Sequence, residues 1–95
     1  SYLRKTKKRL PMLAKIKSSV FIDALKLELQ VPTGCCVRGV LRDDAGMVCR
    51  TIKKEVKKDK EEFTLNDLND LPYGRYTLEL SEGSDEMRMQ LVKRV

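Results

Sequence analysis

From Leu25 to Val31 apolar and polar side chains alternate without a break. Leu25, Leu27, Leu29 and Val31 fall on one side, Lys26, Glu28 and Gln30 on the other. A period of two is the mark of an extended strand with one face buried; a helix would scatter these leucines around its circumference. The rhythm returns near the C-terminus. Tyr76, Leu78 and Leu80 alternate with Arg75, Thr77, Glu79 and Ser81, and Met87, Met89 and Leu91 alternate with Arg88 and Gln90. Such a chain must build sheets with one dry face and one wet face.

Turn chemistry divides the chain between these runs. Pro32-Thr33-Gly34 stops the first strand. Cys35 to Leu41 is a second apolar run, closed by Arg42-Asp43-Asp44-Ala45-Gly46, with the glycine at a position wanting positive φ. Met47 to Val56 reads as the next strand, with Val48, Ile52 and Val56 among lysines, and Lys57 to Lys60 is a charged turn. Glu62 to Leu65 is a short strand with Phe63 and Leu65 facing in. Asn66 to Asp70 is a connection, and Glu82-Gly83-Ser84-Asp85 is a hairpin turn.

With a short strand near Val20 to Ile22, these segments predict an all-β chain: an antiparallel, immunoglobulin-like β-sandwich of about seven strands. Leu27, Leu29, Val37, Leu65, Tyr76, Leu78, Met89 and Leu91 are expected to point inward. One segment admits another reading. Leu13, Ile16, Val20 and Ala24 are spaced as one helical face, and Pro11 suits a first helical turn. The alternative is therefore an α+β domain with a helix near residues 11–24. Ser18-Ser19-Val20-Phe21-Ile22 speaks against it as poor helix material.

The stretch Leu71-Pro-Tyr-Gly-Arg-Tyr-Thr-Leu78 reads as a device for starting a strand. Leu71 is an apolar anchor. Pro72 fixes φ and cannot donate to a ladder, so it marks the point before pairing begins. Gly74 permits the reversal that aims the chain into the sheet. Tyr76 is the first inward residue, and its hydroxyl can reach backbone groups of the preceding loop, as in the tyrosine corner of immunoglobulin-like sandwiches.

The net charge of +6 is unevenly spread. Residues 1–17 hold seven basic side chains (Arg4, Lys5, Lys7, Lys8, Arg9, Lys15 and Lys17) and no acid, which leaves 13 basic against 14 acidic residues in the remainder. The expected organisation is a basic N-terminal arm over 1–17 and a β-sandwich domain over 18–95. Arg4, Lys5, Lys7, Lys8 and Arg9 are candidate polyanion contacts. No aromatic platform accompanies them, with only five aromatic residues in the chain, so nucleic acid is not the expected partner.

The chemistry of catalysis is thin. The chain has no histidine and no Cys-x-x-Cys, which removes the usual zinc patterns and the commonest general base. Cys35, Cys36 and Cys49 cannot all pair. A bridge between the adjacent two is strained, whereas Cys49 could reach one of them across paired strands. Asp43-Asp44 supplies too few oxygens for calcium, and Asn66, Asp67, Asn69 and Asp70 lack the spacing of a calcium loop. No enzyme activity, cofactor, metal or small-molecule substrate is expected. No apolar run approaches the ~20 residues needed to span a membrane, and no signal peptide is present in this chain. A signal removed earlier would leave no trace.

Two segments, Val37-Arg-Gly-Val-Leu-Arg-Asp-Asp-Ala-Gly-Met-Val48 and Leu65-Asn-Asp-Leu68 with Leu71 to Leu78, together resemble small secreted β-sandwich modules of Bacteroidetes. Two families share the pattern: stand-alone exported proteins of unknown function, and the C-terminal sorting domain of type IX secretion. Both use an Asp-x-x-Gly turn and a Leu-x-x-Gly-x-Tyr approach to a later strand, positions that Asp43, Gly46, Leu71, Gly74 and Tyr76 occupy here. The resemblance covers roughly residues 20–95. The Pro-Asn-Pro-like start of a sorting domain is missing, and its Lys-rich end is echoed only by Lys93-Arg94. The basic arm and the Cys35-Cys36 pair belong to neither family's pattern. The resemblance implies an exported, non-catalytic module with a protein or cell-surface partner, located in the periplasm, at the cell surface or outside the cell. The alternatives are a sorting domain cut from a larger protein and an intracellular nucleic-acid binder that uses the basic arm.

The arm yields the first prediction. As a solvated tail, it should bind duplex or single-stranded DNA weakly, and that binding should vanish by about 0.15 M salt, where the screening length is ~8 Å. A salt titration with and without residues 1–17 tests this. Sub-micromolar affinity that persists at that salt and is lost on truncation would establish the nucleic-acid alternative.

Overall fold

The structure, a computed structural model, describes residues 12–94. Among them there are eight strands and no helix: β1 (Ala14–Ile16), β2 (Val20–Phe21), β3 (Leu25–Leu29), β4 (Cys36–Asp43), β5 (Val48–Glu55), β6 (Glu62–Leu65), β7 (Gly74–Glu82) and β8 (Asp85–Lys93). They form two sheets in a sandwich-like arrangement. One is three-stranded, in the order β1-β3-β6; the other is five-stranded, in the order β2-β8-β7-β4-β5.

The expected all-β class holds, and the strand count differs from seven because β1 lies inside the span read as the basic arm. Leu13 and Ala14 are buried, and β1 pairs antiparallel with β3, Ala14 opposite Leu29. The boundary between arm and domain expected at 17/18 therefore moves back to at least Leu13. The helical alternative fails for a physical reason. The stripe it required would bury Val20, which is exposed, whereas the chain buries Phe21 next to it. Ser18 and Ser19 break the segment instead. The Ser18 hydroxyl accepts from the Val20 N–H at 3.1 Å and donates to the Val20 carbonyl at 3.0 Å. This local bonding competes with helix formation. Here the chain leaves the three-stranded sheet, and β2 joins the other sheet parallel to β8, Val20 opposite Val92.

The hairpins follow the turn chemistry. Gly46 (φ +87°) closes the β4–β5 turn, with its N–H donating to the Asp43 carbonyl. A bulge at Leu41/Arg42 follows in the ladder. It turns Val48 outward, so this expected apolar contact is exposed. The β7–β8 turn has Gly83 (φ +59°) first and Ser84 second between the paired Glu82 and Asp85. Glycine first is the pattern of a II′ hairpin. The other connections between β3 and β7 cross between the sheets, so the chain builds both sheets in alternation.

The core lies between the two dry faces. Leu25, Leu27 and Leu29 of β3 are buried, as are Val37 and Leu41 of β4, Ile52 of β5, Tyr76, Leu78 and Leu80 of β7, and Met89 and Leu91 of β8. Phe63 and Leu65 are only half buried, because β6 is an edge strand. Leu68, in the connection, is fully buried although no alternation marks it. No helix of the described residues is long and apolar enough to cross a membrane.

Gly39 is a tight point of the ladder. A Cβ there would stand 2.7 Å from Leu80 Cδ2 and 3.1 Å from the Glu79 carbonyl oxygen. Leu80 is itself buried and cannot swing away. Gly39→Ala is expected to destabilise the protein by about 1–3 kcal/mol through overpacking, read as a lowered denaturant midpoint at unchanged slope. An unchanged midpoint would mean that the sheet relaxes freely here.

Candidate functional site

The two sequence motifs meet at one end of the five-stranded sheet. Asp43, the last residue of β4, lies directly opposite Tyr76 of β7. The Asp43 carboxylate accepts from the Ala45 N–H at 3.0 Å and from the Met47 N–H at 2.9 Å, which makes it the peg of the hairpin turn. Leu71 is buried, Gly74 takes φ +143°, and the Tyr76 hydroxyl donates to the Pro72 carbonyl at 2.6 Å. The Tyr76 ring packs edge-on against Phe21, with centroids 5.9 Å apart at 64°. Burial first, then the neighbouring Cys49 and Asp43, raise the tyrosine pKa. The hydroxyl therefore keeps its proton for Pro72.

A third element joins this corner. Arg50 of β5 faces inward and binds the 66–70 connection: its guanidinium donates to the Asp67 carbonyl at 3.1 Å and to Asp70 Oδ1 at 2.6 Å, and to the Cys49 carbonyl at 2.8 Å. Asp67 holds φ +63° there. The oxygen-rich connection is thus tied down by an arginine and by the Leu68 N–H on the Asp23 carbonyl. Further along β5, Lys54 pairs with Glu61 at 3.1 Å. The Glu61 pKa is lowered, chiefly by the Lys57 N–H that it accepts at 2.7 Å and then by Lys54. Lys93 is the third inward cation. It is buried, donates to the Arg94 carbonyl at 3.1 Å, and sits 5.2 Å from the Tyr73 ring centroid. The sequence reading missed Arg50, Lys54 and Lys93. The signal was there: each continues the inward parity set by Ile52 and Val56, or by Met89 and Leu91.

The wet face of the five-stranded sheet carries the remaining charge. Glu79 is held between Arg42 at 3.1 Å and Arg88 at 3.5 Å. A shallow depression of about 380 Å³ beside it is lined by Arg38, Val40, Thr51, Ser81 and Arg88.

The cysteines stand apart. Cys36 lies opposite Glu55 and Cys49 lies near the other end of the same ladder, beside the Arg42–Val48 pair. At ~3.4 Å per residue the separation far exceeds the ~7 Å limit of a disulfide. The bridge from Cys49 to Cys35 or Cys36 is therefore ruled out, and all three thiols are free. Burial, and then Glu82, push the Cys35 thiol up, which keeps it protonated and unreactive at neutral pH. Among the described residues no group of three or more Cys, Asp or Glu is arranged to hold a metal. The candidate polyanion contacts Arg4, Lys5, Lys7, Lys8 and Arg9 lie outside the described residues.

No protein-family model matches the chain, and no curated protein matches it.

The corner predicts a graded response. Tyr76→Phe, which removes only the hydroxyl from Pro72, should cost about 1 kcal/mol. Tyr76→Ala, which also empties the space against Phe21, should cost about 3–5 kcal/mol. Denaturant midpoints measure both, and equal costs would show that the ring contributes nothing beyond its hydrogen bond.

Proposed function

We propose that this chain is an exported, non-catalytic β-sandwich module of immunoglobulin-like topology that works through protein contact or as a structural unit. One observation carries the topological part. Lettered in chain order as A, A′, B, C, C′, E, F and G, strands β1 to β8 read A-B-E in one sheet and A′-G-F-C-C′ in the other. Tyr76 then lies near the start of strand F with its hydroxyl on a carbonyl four residues upstream, the tyrosine-corner pattern. Leu78 stands where an antibody domain carries the second cysteine of its inter-sheet disulfide, so packing takes over the cross-link's part.

Export is supported by the motifs that resemble the secreted modules of Bacteroidetes. Asp43 and Tyr76 face each other across the ladder, and Gly46 and Gly74 adopt the positive φ that each motif's glycine requires. These are two halves of one structural corner. They also serve the type IX sorting domain, so that rival survives on the same residues.

The test is cellular. The complete reading frame, tagged internally in a surface loop and expressed in its native host, is expected in the periplasmic, surface or medium fraction. Retention in the cytoplasm would overturn the export reading. A long upstream enzyme or adhesin in the same frame would transfer the assignment to the sorting domain.

A further inference from the structure

The outer edge of β5 is an open hydrogen-bonding rail. β5 ends the five-stranded sheet, and no described strand pairs with its far side. Its length, eight residues, exceeds that of each other edge strand: β2 has two, β1 three and β6 four. Which backbone groups face outward follows from the ends of the ladder. Val56 directs both its N–H and its carbonyl to the start of β4, bonding Cys35 and Gly34 at 2.9 and 2.8 Å. At the turn end the Asp43 N–H donates to the Met47 carbonyl at 2.9 Å. Antiparallel pairs alternate between bonded and unbonded. Ile52 and Lys54 therefore bond inward, and Thr51, Lys53 and Glu55 hold their N–H and C=O groups outward. The bulge at Leu41/Arg42 interrupts the rail before Val48, which limits it to Thr51–Glu55.

The charge beside the rail selects its occupant. Lys53 lies directly opposite Arg38, and both are exposed. On the other side of Arg38 the partner is Ser81. Like charges face to face oppose sheet formation, and neither cation has an acid within 4.0 Å among the described residues. Lys57, Lys58 and Lys60 follow in the adjoining turn, all exposed. A second copy of β5 fits badly. Antiparallel pairing centred on Ile52 sets Arg50 against Lys54 twice, and centring on Lys53 sets lysine on lysine; centring on Lys54 sets Lys53 against Glu55 but stacks Lys54 on itself, shortens the bonded overlap to the end of the strand and brings Thr51 against Lys57.

We propose that the Thr51–Glu55 edge receives an extended acidic segment of a partner protein by strand addition, with a carboxylate opposite Lys53 and the partner's backbone on the outward groups of Thr51, Lys53 and Glu55. The proposal rests on the interaction-module reading above and gives that module a surface and a partner chemistry. In antiparallel sense the preferred partner segment has an acid at one position, a β-branched or small residue two positions later opposite Thr51, and no acid two positions earlier opposite Glu55.

The probe is the capped peptide Thr-Thr-Val-Glu-Val-Thr-Glu, with a counterpart in which both glutamates are lysine. The first should shift the backbone amide resonances of Thr51, Lys53 and Glu55, and the second should not. Lys53→Glu should weaken the glutamate peptide roughly tenfold, the scale of exchanging an attractive cross-strand pair for a repulsive one. Thr51→Pro removes an outward N–H and no ladder bond, so it should abolish binding in a folded protein. If that variant does not fold, the glutamate peptide methylated on its backbone nitrogens asks the same question of the unaltered chain and should not bind. Three results would overturn the proposal: no shifts at millimolar peptide, equal shifts from both peptides, or a dimer in sedimentation whose contact is β5 itself. Export is untouched by any of these results, since it is decided by where the chain is found in the cell.

Discussion

β7 is bonded on both sides, to β4 and to β8, and its inward side chains Tyr76, Leu78 and Leu80 cross the middle of the core. The rest of the structure depends on this strand's register. A slip of one residue would turn these three outward and bring Arg75, Thr77 and Glu79 into the apolar interior, where unpaired charge cannot be held. The corner at its start prevents the slip. Leu71 is buried, Gly74 turns the chain, and the Tyr76 hydroxyl is fixed to Pro72, so the first inward residue cannot move along the strand. Because Asp43 faces Tyr76, the same register also sets where the β4–β5 turn must fall.

The pleat is obeyed even where the residue is charged. Arg50, Lys54 and Lys93 point inward because their neighbours along each strand do. Each is then satisfied at the rim: Arg50 by the 66–70 connection, Lys54 by Glu61, Lys93 by a carbonyl and the Tyr73 ring. The cost of turning one residue outward is a bulge, and the chain pays it once, at Leu41/Arg42. These inward cations fasten loops to strands in a domain too small to spare many apolar contacts. They also explain why the longest edge strand keeps only a short straight rail between its bulge and its charged turn.

On the wet side the division of labour is different. Glu79 pairs with both Arg42 and Arg88 in the middle of the sheet, while Arg38 and Lys53 face each other without an acid partner among the described residues next to its edge. Lysine on an edge strand discourages indiscriminate pairing with other chains. The same lysine makes pairing conditional on an acidic partner, which is how an exposed edge can be protected and selective together.

Much of the architecture was legible in the chain itself. The alternation from Leu25 to Val31 and from Tyr76 to Leu91, the glycines at the turns, and the strand-starting role of Leu71 to Tyr76 are local properties. They follow from backbone conformations that a few neighbouring residues allow or forbid. Tertiary structure decided what those neighbours could not. The two serines at 18 and 19 move the chain from one sheet to the other because Phe21 finds Tyr76, fifty-odd residues away, and not because the local sequence prefers a strand. Likewise only the ladder set Cys49 far from Cys36, brought Asp43 opposite Tyr76, and left the outward groups of Thr51, Lys53 and Glu55 at the edge. A strand's period is fixed by its own pleat, but its partner is fixed by which distant apolar face completes the core, and that information is spread over the whole chain.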